Sequence, residues 1–248
     1  MSNFDSFAFA GHGTSEKTGG YDPGAVGGGY VENDLARKIQ TAAKGYLAPT
    51  GLNIHYDENN YTDYDLAGNT YKFKCGIVIH INSANGASGV ECYVPCGESH
   101  IETDITLCSE ISKLLGIPNR GVKSRGYDSE NYYNRTNGSK VGESDYYGEI
   151  RDAWSRGISL CILEVGFIQA DGKKINDRIN ELGYLVAKYI ATNCDKKLVE
   201  PATVKPTATT NNTSGKMYRV VAGSFKDKAN AEARVKELKA KGFDSFIL

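Results

Sequence analysis

Gly76-Ile77-Val78-Ile79-His80-Ile81 and Ile158-Ser159-Leu160-Cys161-Ile162-Leu163-Glu164-Val165 are nearly continuous apolar runs rich in β-branched residues. A strand with one wet face alternates apolar and polar residues. A run without alternation is the pattern of a strand covered on both faces, as in a mostly parallel sheet between two layers. Each run carries one ionisable residue near its C-terminal end, His80 in the first and Glu164 in the second. A carboxylate in such a strand costs too much free energy unless it is paired or functional.

Outward from these two strands, residues 1–195 read as alternating strands and helices. Phe7–Ala10 is a short apolar run that ends in Gly11-His12-Gly13, and Leu52–His55 and Gly89–Val94 are further strands. Glu32–Leu47 places Leu35, Ile39, Ala42, Ala43 and Tyr46 at helical spacing; Ile101–Leu115 and Asn176–Thr192 are amphipathic in the same way. The predicted fold class is α/β, a central mostly parallel twisted sheet flanked by helices. Residues 196–216, with Pro201, Pro206 and a Thr/Ala/Asn/Ser run, have almost no large apolar side chains and read as a flexible linker. Residues 217–248 read as a small α+β unit of βαβ order: a strand over Tyr218–Phe225, a helix over Lys228–Lys241 and a strand from Phe243.

Composition narrows the function. The chain has 248 residues, 29 Lys+Arg and 30 Asp+Glu, hence a formal net charge of −1. That balance, without a basic block, argues against a nucleic-acid binder. No apolar run approaches the roughly 18–20 residues of a membrane span, so the chain is not membrane-embedded. The first ten residues lack a basic n-region, so the expectation is cytoplasmic synthesis without a signal peptide. The six cysteines are scattered and complete no zinc-knuckle spacing, so buried inert thiols are expected.

Three potential metal ligands stand at strand ends or helix starts. His12 follows the first strand, Glu32 opens a helix after Asp22-Pro-Gly-Ala-Val-Gly-Gly-Gly-Tyr-Val, and His80 lies near the end of its strand. The carboxyl ends of parallel strands share one edge, so these three can converge there. Two His and one Glu form a known catalytic zinc set, with a fourth position left for water. Beside it, Glu164 can take a proton from that water and pass it to a leaving nitrogen.

Six ordered motifs carry a family resemblance: Gly11-His12-Gly13; Asp22-Pro-Gly-Ala-Val-Gly with Glu32; Ile79-His80-Ile-Asn82-Ser-Ala; Gly89-Val-Glu-Cys-Tyr; Asn119-Arg-Gly-Val-Lys-Ser; and Leu163-Glu164-Val-Gly-Phe. Together they resemble the zinc-dependent N-acetylmuramoyl-L-alanine amidases of the amidase-3 type. The resemblance implies one zinc ion on His12, Glu32 and His80, and Glu164 as the catalytic glutamate. It implies hydrolysis of the amide between the muramic acid lactyl group and L-alanine of peptidoglycan, as in a phage endolysin or an autolysin. It also implies action on the wall after release by a holin-like lysis partner or by mother-cell lysis. The sequence departs from that family in the longer Ser15–Gly19 loop, in lacking the Thr-Arg and arginine after the second strand, in the longer Tyr127–Trp154 segment, and in Ala170-Asp171.

The C-terminal Tyr218-Arg-Val-Val-Ala-Gly-Ser-Phe with Asn230-Ala-Glu resembles the first half of a SPOR repeat, a peptidoglycan-binding module. Its short core and open strand edges suggest self-association, giving a homo-oligomer through 217–248.

Asn82 and Asn85 are the candidates for substrate binding. The tyrosines Tyr127, Tyr132, Tyr133, Tyr146 and Tyr147 could stack on sugar rings or simply pack on one another. His55 and His100 read as surface or strand-end residues, and Glu91 and Glu102 as solvated or strand-edge groups. Two other functions compete: a zinc carboxypeptidase-type peptidase, against which no recognisable arginine clamp is found, and a non-catalytic peptidoglycan-binding protein.

Overall fold

The computed structural model describes residues 2–57, 62–129, 131–135, 144–198 and 227–240. The chain divides into two units, with the boundary between Glu200 and Pro201.

The first unit is built on a seven-stranded sheet. Its strands are β1 (Ser6–Ala10), β2 (Ile54–Tyr56), β3 (Cys75–Asn82), β4 (Val90–Tyr93), β5 (Asn119–Arg125), β6 (Tyr132–Arg135) and β7 (Ser159–Phe167), in the order β6-β5-β4-β7-β3-β1-β2. The strands β2, β1, β3 and β7 run parallel, β4 is antiparallel to β7, β5 is parallel to β4, and β6 is antiparallel to β5. The helices of this unit are α1 (Glu32–Leu47), α2 (Thr62–Leu66), α3 (Glu102–Leu115), α4 (Gly148–Ser155), α5 (Ile168–Asn176) and α6 (Ile179–Asn193). The predicted α/β architecture is the one observed.

Strand parity divides the core in two. Ala8, Ala10, Ile77, Ile79, Ile81, Cys92, Leu163 and Val165 belong to a large cluster with Leu35, Ile39 and Ala43 of α1, Leu107 and Ile111 of α3, and Val186 and Ile190 of α6. Alternate residues, Phe7, Phe9, Val78, Tyr93, Leu160 and Ile162, form a smaller cluster with Ile150 and Ala153 of α4. Both faces of the central strands are therefore covered, which is why their sequences show no alternation. Burying a Leu, Ile or Phe side chain contributes roughly 1.5–3 kcal/mol, so the larger cluster dominates the stability of the unit. The smaller one matters for position. Its face carries Val78 and then His80, Ile162 and then Glu164, so the polar residues continue the same face beyond the end of the apolar packing.

The helix expected over Asn176–Thr192 is α6, which starts at Ile179; α5, which ends at Asn176 and is separated from it by Asp177–Arg178, has no counterpart in the sequence reading. Gly172 in mid-helix lowers the intrinsic helical tendency of α5. Burial of Ile168 and Ile175, spaced two turns apart, against the large cluster offsets that deficit. Strands β5 and β6 carry no periodic apolar signal in the sequence, and α4 carries only a short one, Ile150 and Ala153 at helical spacing.

Within the second unit the described part is a helix, α7 (Lys228–Ala240). Its bounds agree with the helix read over Lys228–Lys241, whose last residue lies outside the described residues. The strands read at Tyr218–Phe225 and from Phe243 also lie outside them, as does most of the linker.

Candidate active site

β1 is followed by Gly11-His12-Gly13, where His12 takes a left-handed backbone conformation with φ 64°. That turn aims the imidazole back over the sheet edge. Its Nδ1 is 2.8 Å from Asp22 Oδ2, and its Nε2 is 3.3 Å from Glu32 Oε1. Glu32 opens α1, where the helix N-terminus favours a carboxylate, and it is buried. Its Oε2 accepts the Ala25 amide at 2.8 Å, and its Oε1 accepts the Ile81 amide at 2.9 Å. His80 Nδ1 lies 2.9 Å from the same Oε1. The two imidazole centroids are 5.0 Å apart and nearly perpendicular, at 82°.

One ligand atom from each of His12, Glu32 and His80 lies within 4.8 Å of the others. The residues read from the sequence as ligands are thus brought together, and they can hold a metal ion. The walls are shaped for this cluster. A Cβ on Gly24 would stand 2.5 Å from His12 Cδ2 and 2.6 Å from Glu32 Oε2, and one on Gly11 would stand 2.3 Å from His80 Cε1.

The protonation of the three is linked. Burial works against the charge on Glu32, but the two histidines and the Ala25 amide outweigh it and hold its pKa well below the carboxylate range. Burial would lower the pKa of His80, yet its bond to Glu32 and the charges of Glu164, Glu149 and Glu32 raise it to about 9. His12 is raised as well: the bonds to Glu32 and Asp22 overcome its burial. Such a cluster attracts positive charge, whether proton or metal cation.

Glu164 on β7 lies directly opposite His80 on β3 and also opposite Glu91 on β4. Its Oε2 is buried with no hydrogen-bond partner among the described residues. Burial pushes its pKa up to about 7; Glu32, Glu91 and Glu149 add to the rise, and His80 opposes it. A carboxyl that titrates near neutrality beside a ligand cluster suits proton transfer. Glu149, in the first turn of α4, interacts with both His80 and His12, and burial raises its own pKa. No motif marks Glu149 in the sequence.

Glu91 is not the solvated or strand-edge group expected from the sequence. Its side chain is 2% exposed, and its Oε2 binds Arg120 Nε at 2.5 Å and Lys123 Nζ at 2.6 Å. Its Oε1 accepts bonds from Asn82 Nδ2 at 3.0 Å and the Tyr93 hydroxyl at 3.1 Å. Burial disfavours its ionisation, but Lys123 and Arg120 more than compensate and keep it charged. The signal present in the sequence is Asn119-Arg-Gly-Val-Lys, whose two cations, Arg120 and Lys123, both bond Glu91.

The other candidates separate. Asn82 enters the site through Glu91, whereas Asn85 is exposed in the following turn. His55 bonds the Tyr71 hydroxyl at 3.0 Å and stacks on Phe4, in a different part of the sheet. His100 and Glu102 are exposed. The tyrosines pack around arginine: Arg125 lies 3.4 Å from the Tyr146 ring centre and 4.6 Å from that of Tyr132, and Tyr147 packs on Tyr93 at 5.0 Å. All six cysteines are free thiols, five of them buried and Cys75 half-buried. Asp171, one of the sequence departures, is buried and accepts the Gly89 and Phe167 amides and the Ser88 hydroxyl.

Residues 9–192 match the N-acetylmuramoyl-L-alanine amidase family, amidase-3 type. The chain belongs to that family. The amidase reaction is hydrolysis of the bond between the muramic acid lactyl group and L-alanine of peptidoglycan, and the resemblance read in the sequence is borne out. Residues 196–248 of the amidase match the SPOR domain, so that match begins inside the stretch read as linker. The sporulation-specific N-acetylmuramoyl-L-alanine amidase of Bacillus subtilis (strain 168) is 25% identical over 239 residues, covering 93% of this chain and 81% of that protein. The fold is similar to that of the CwlD amidase from Clostridioides difficile, solved in complex with the GerS lipoprotein: TM-score 0.54, 14% identity, 77% of this chain and 98% of that one. It is also similar to Cwp6 from Clostridium difficile, with TM-score 0.52 and 21% identity over 77% of this chain and 29% of that one. Among the described residues, no helix of the amidase is long and apolar enough to cross a membrane.

Proposed function

We propose that this amidase works with one zinc ion held by His12, Glu32 and His80, and with Glu164 carrying the proton. The observation that carries the reading is the placement of Glu164 directly opposite His80, next to the ligand cluster. When bound, zinc supplies Lewis acidity that polarises the scissile carbonyl and acidifies a neighbouring water. Asp22 fixes the His12 ring by holding Nδ1, which leaves Nε2 directed at the cluster. The Ala25 and Ile81 amides fix the Glu32 carboxylate in the same way. Glu164 Oε2, buried and without a hydrogen-bond partner among the described residues, accepts the proton of the attacking water and delivers it to the nitrogen of the departing L-alanine. Residues 217–248 add affinity for the wall, a reading supported by the SPOR match, and self-associate.

Purified cell walls digested with and without a chelator test this reading. The expected products are glycans with free lactyl groups and peptides that begin with alanine, formed only without chelator. Cleavage inside the peptide or the glycan, or digestion indifferent to chelation, overturns it.

A further inference from the structure

The reversal of chain direction at β4 has a chemical consequence. Because β4 is antiparallel to β7, its first residues lie at the edge where β3 and β7 end, and β5, parallel to β4, begins there too. Arg120 is the second residue of β5. It therefore stands at the same sheet edge as His80 and Glu164, on the side of Glu164 away from β1 and His12.

Arg120 is held from behind. Its Nε is 2.5 Å from Glu91 Oε2, and its guanidinium lies 5.1 Å from the Phe167 ring centre. Glu91 is itself immobilised by Lys123, Asn82 and Tyr93. Among the described residues no acceptor stands against the two Nη groups of Arg120, and its side chain is 38% exposed. Two cations against one buried carboxylate also leave this cluster with one positive charge in excess. A guanidinium fixed through Nε with a free outer edge is preorganised for a carboxylate, which takes two parallel N–H···O bonds.

We propose that Arg120 is the substrate-carboxylate subsite of this enzyme, and that the carboxylate it takes belongs to the departing peptide. The side follows from the proposed function, on which this inference rests. Glu164 hands its proton to the leaving nitrogen, so the leaving peptide lies on the Glu164 side of the cluster, where Arg120 stands. Glu91 is the positioning residue: it sets the guanidinium plane and neutralises part of its charge without touching the substrate.

The test uses the full-length enzyme and two soluble muramoyl peptides, one with free peptide carboxylates and one with those carboxylates converted to primary amides. The wild type should prefer the free form in kcat/KM by about 10–100-fold, the usual size of a charge-assisted contact. In Arg120→Gln that ratio should fall to near one. A wild type that cleaves both forms equally well overturns the subsite alone. A variant that loses rate on both forms but keeps the ratio also overturns it, since Arg120 then serves only the fold. A wild type that cleaves neither form at the lactyl amide overturns the proposed function together with this inference.

Discussion

Glu164 faces His80 across the parallel pair β7–β3 and Glu91 across the antiparallel pair β7–β4, so three ionisable residues lie abreast on one face of the sheet. Their environments push them apart. Glu91 is charged because two cations touch it, the Glu32 carboxylate favours the protonated form of His80, and Glu164 between them rises to about 7 because burial costs it more than His80 returns. Carboxyls that share a neighbourhood but differ in pKa can differ in task. Here one anchors cations and the other is left to exchange a proton.

Glu164→Gln should keep the fold and the metal but lose activity by at least about 10²–10⁴-fold, the usual contribution of a general acid–base group. The glutamine keeps shape and a polar tip and cannot carry the proton. Metal content and turnover measured on the same preparation check it. Near wild-type wall clearance would assign the proton to another group, with Glu149, which also interacts with His80 and His12, the next candidate.

His80→Ala should remove both metal and activity, since the remaining His12 and Glu32 are only two ligands. Elemental mass spectrometry gives the metal per chain, one equivalent expected for the wild type. Full occupancy in the variant would falsify the ligand assignment.

Asp22→Ala removes the acceptor that holds His12 Nδ1 at 2.8 Å. Outer partners of this kind tune metal affinity by about 10–100-fold, so the metal Kd should rise by that factor while Glu164 is untouched. Competition with a chromophoric chelator measures it. An unchanged Kd would mean that Asp22 only shapes the loop, where its other oxygen accepts the Gly24 amide.

Asp104, on α3, is 4% exposed and accepts the Tyr189 hydroxyl at 3.0 Å. Burial raises its pKa from 3.8 to about 6, against the lowering effect of Cys161 and Tyr189. The fold therefore prefers the protonated acid. This contribution is fully present below about pH 4 and is lost as pH rises through about 6. The shift corresponds to about 3 kcal/mol. Asp104→Asn stays neutral, so its stability relative to the wild type should grow by roughly that amount between pH 4 and pH 8. Urea unfolding at both values reads it, and a pH-independent difference counts against the shift.

Self-association through 217–248 should make the full chain sediment as a dimer or larger at high micromolar concentration. A chain ending at Glu200, where the first unit ends, should stay monomeric. A monomeric full-length protein removes the proposal.

Much of the fold was legible in the sequence. The two unalternating runs of β3 and β7 marked a doubly covered sheet, the bounds of α1 agree at both ends, and His12, Glu32 and His80 stood out by their places at strand ends and a helix start. Glu164 stood out because a carboxylate in a buried strand is costly, a property of one residue and its neighbours. These are local features: periodicity, glycine around a histidine, the solvation of a single group. Strand direction is not local. Alternation reads alike in parallel and antiparallel strands, so nothing in Val90–Tyr93 itself shows that β4 runs against β7. That reversal sets Glu91 opposite Glu164 and brings Arg120 and Lys123 from β5 to the same carboxylate. Glu149 likewise enters only because α4 covers the smaller face. The sequence by itself determined which residues can ligate and which can carry a proton; long-range strand pairing decided which charges surround them, because that depends on the packing of segments far apart in the chain.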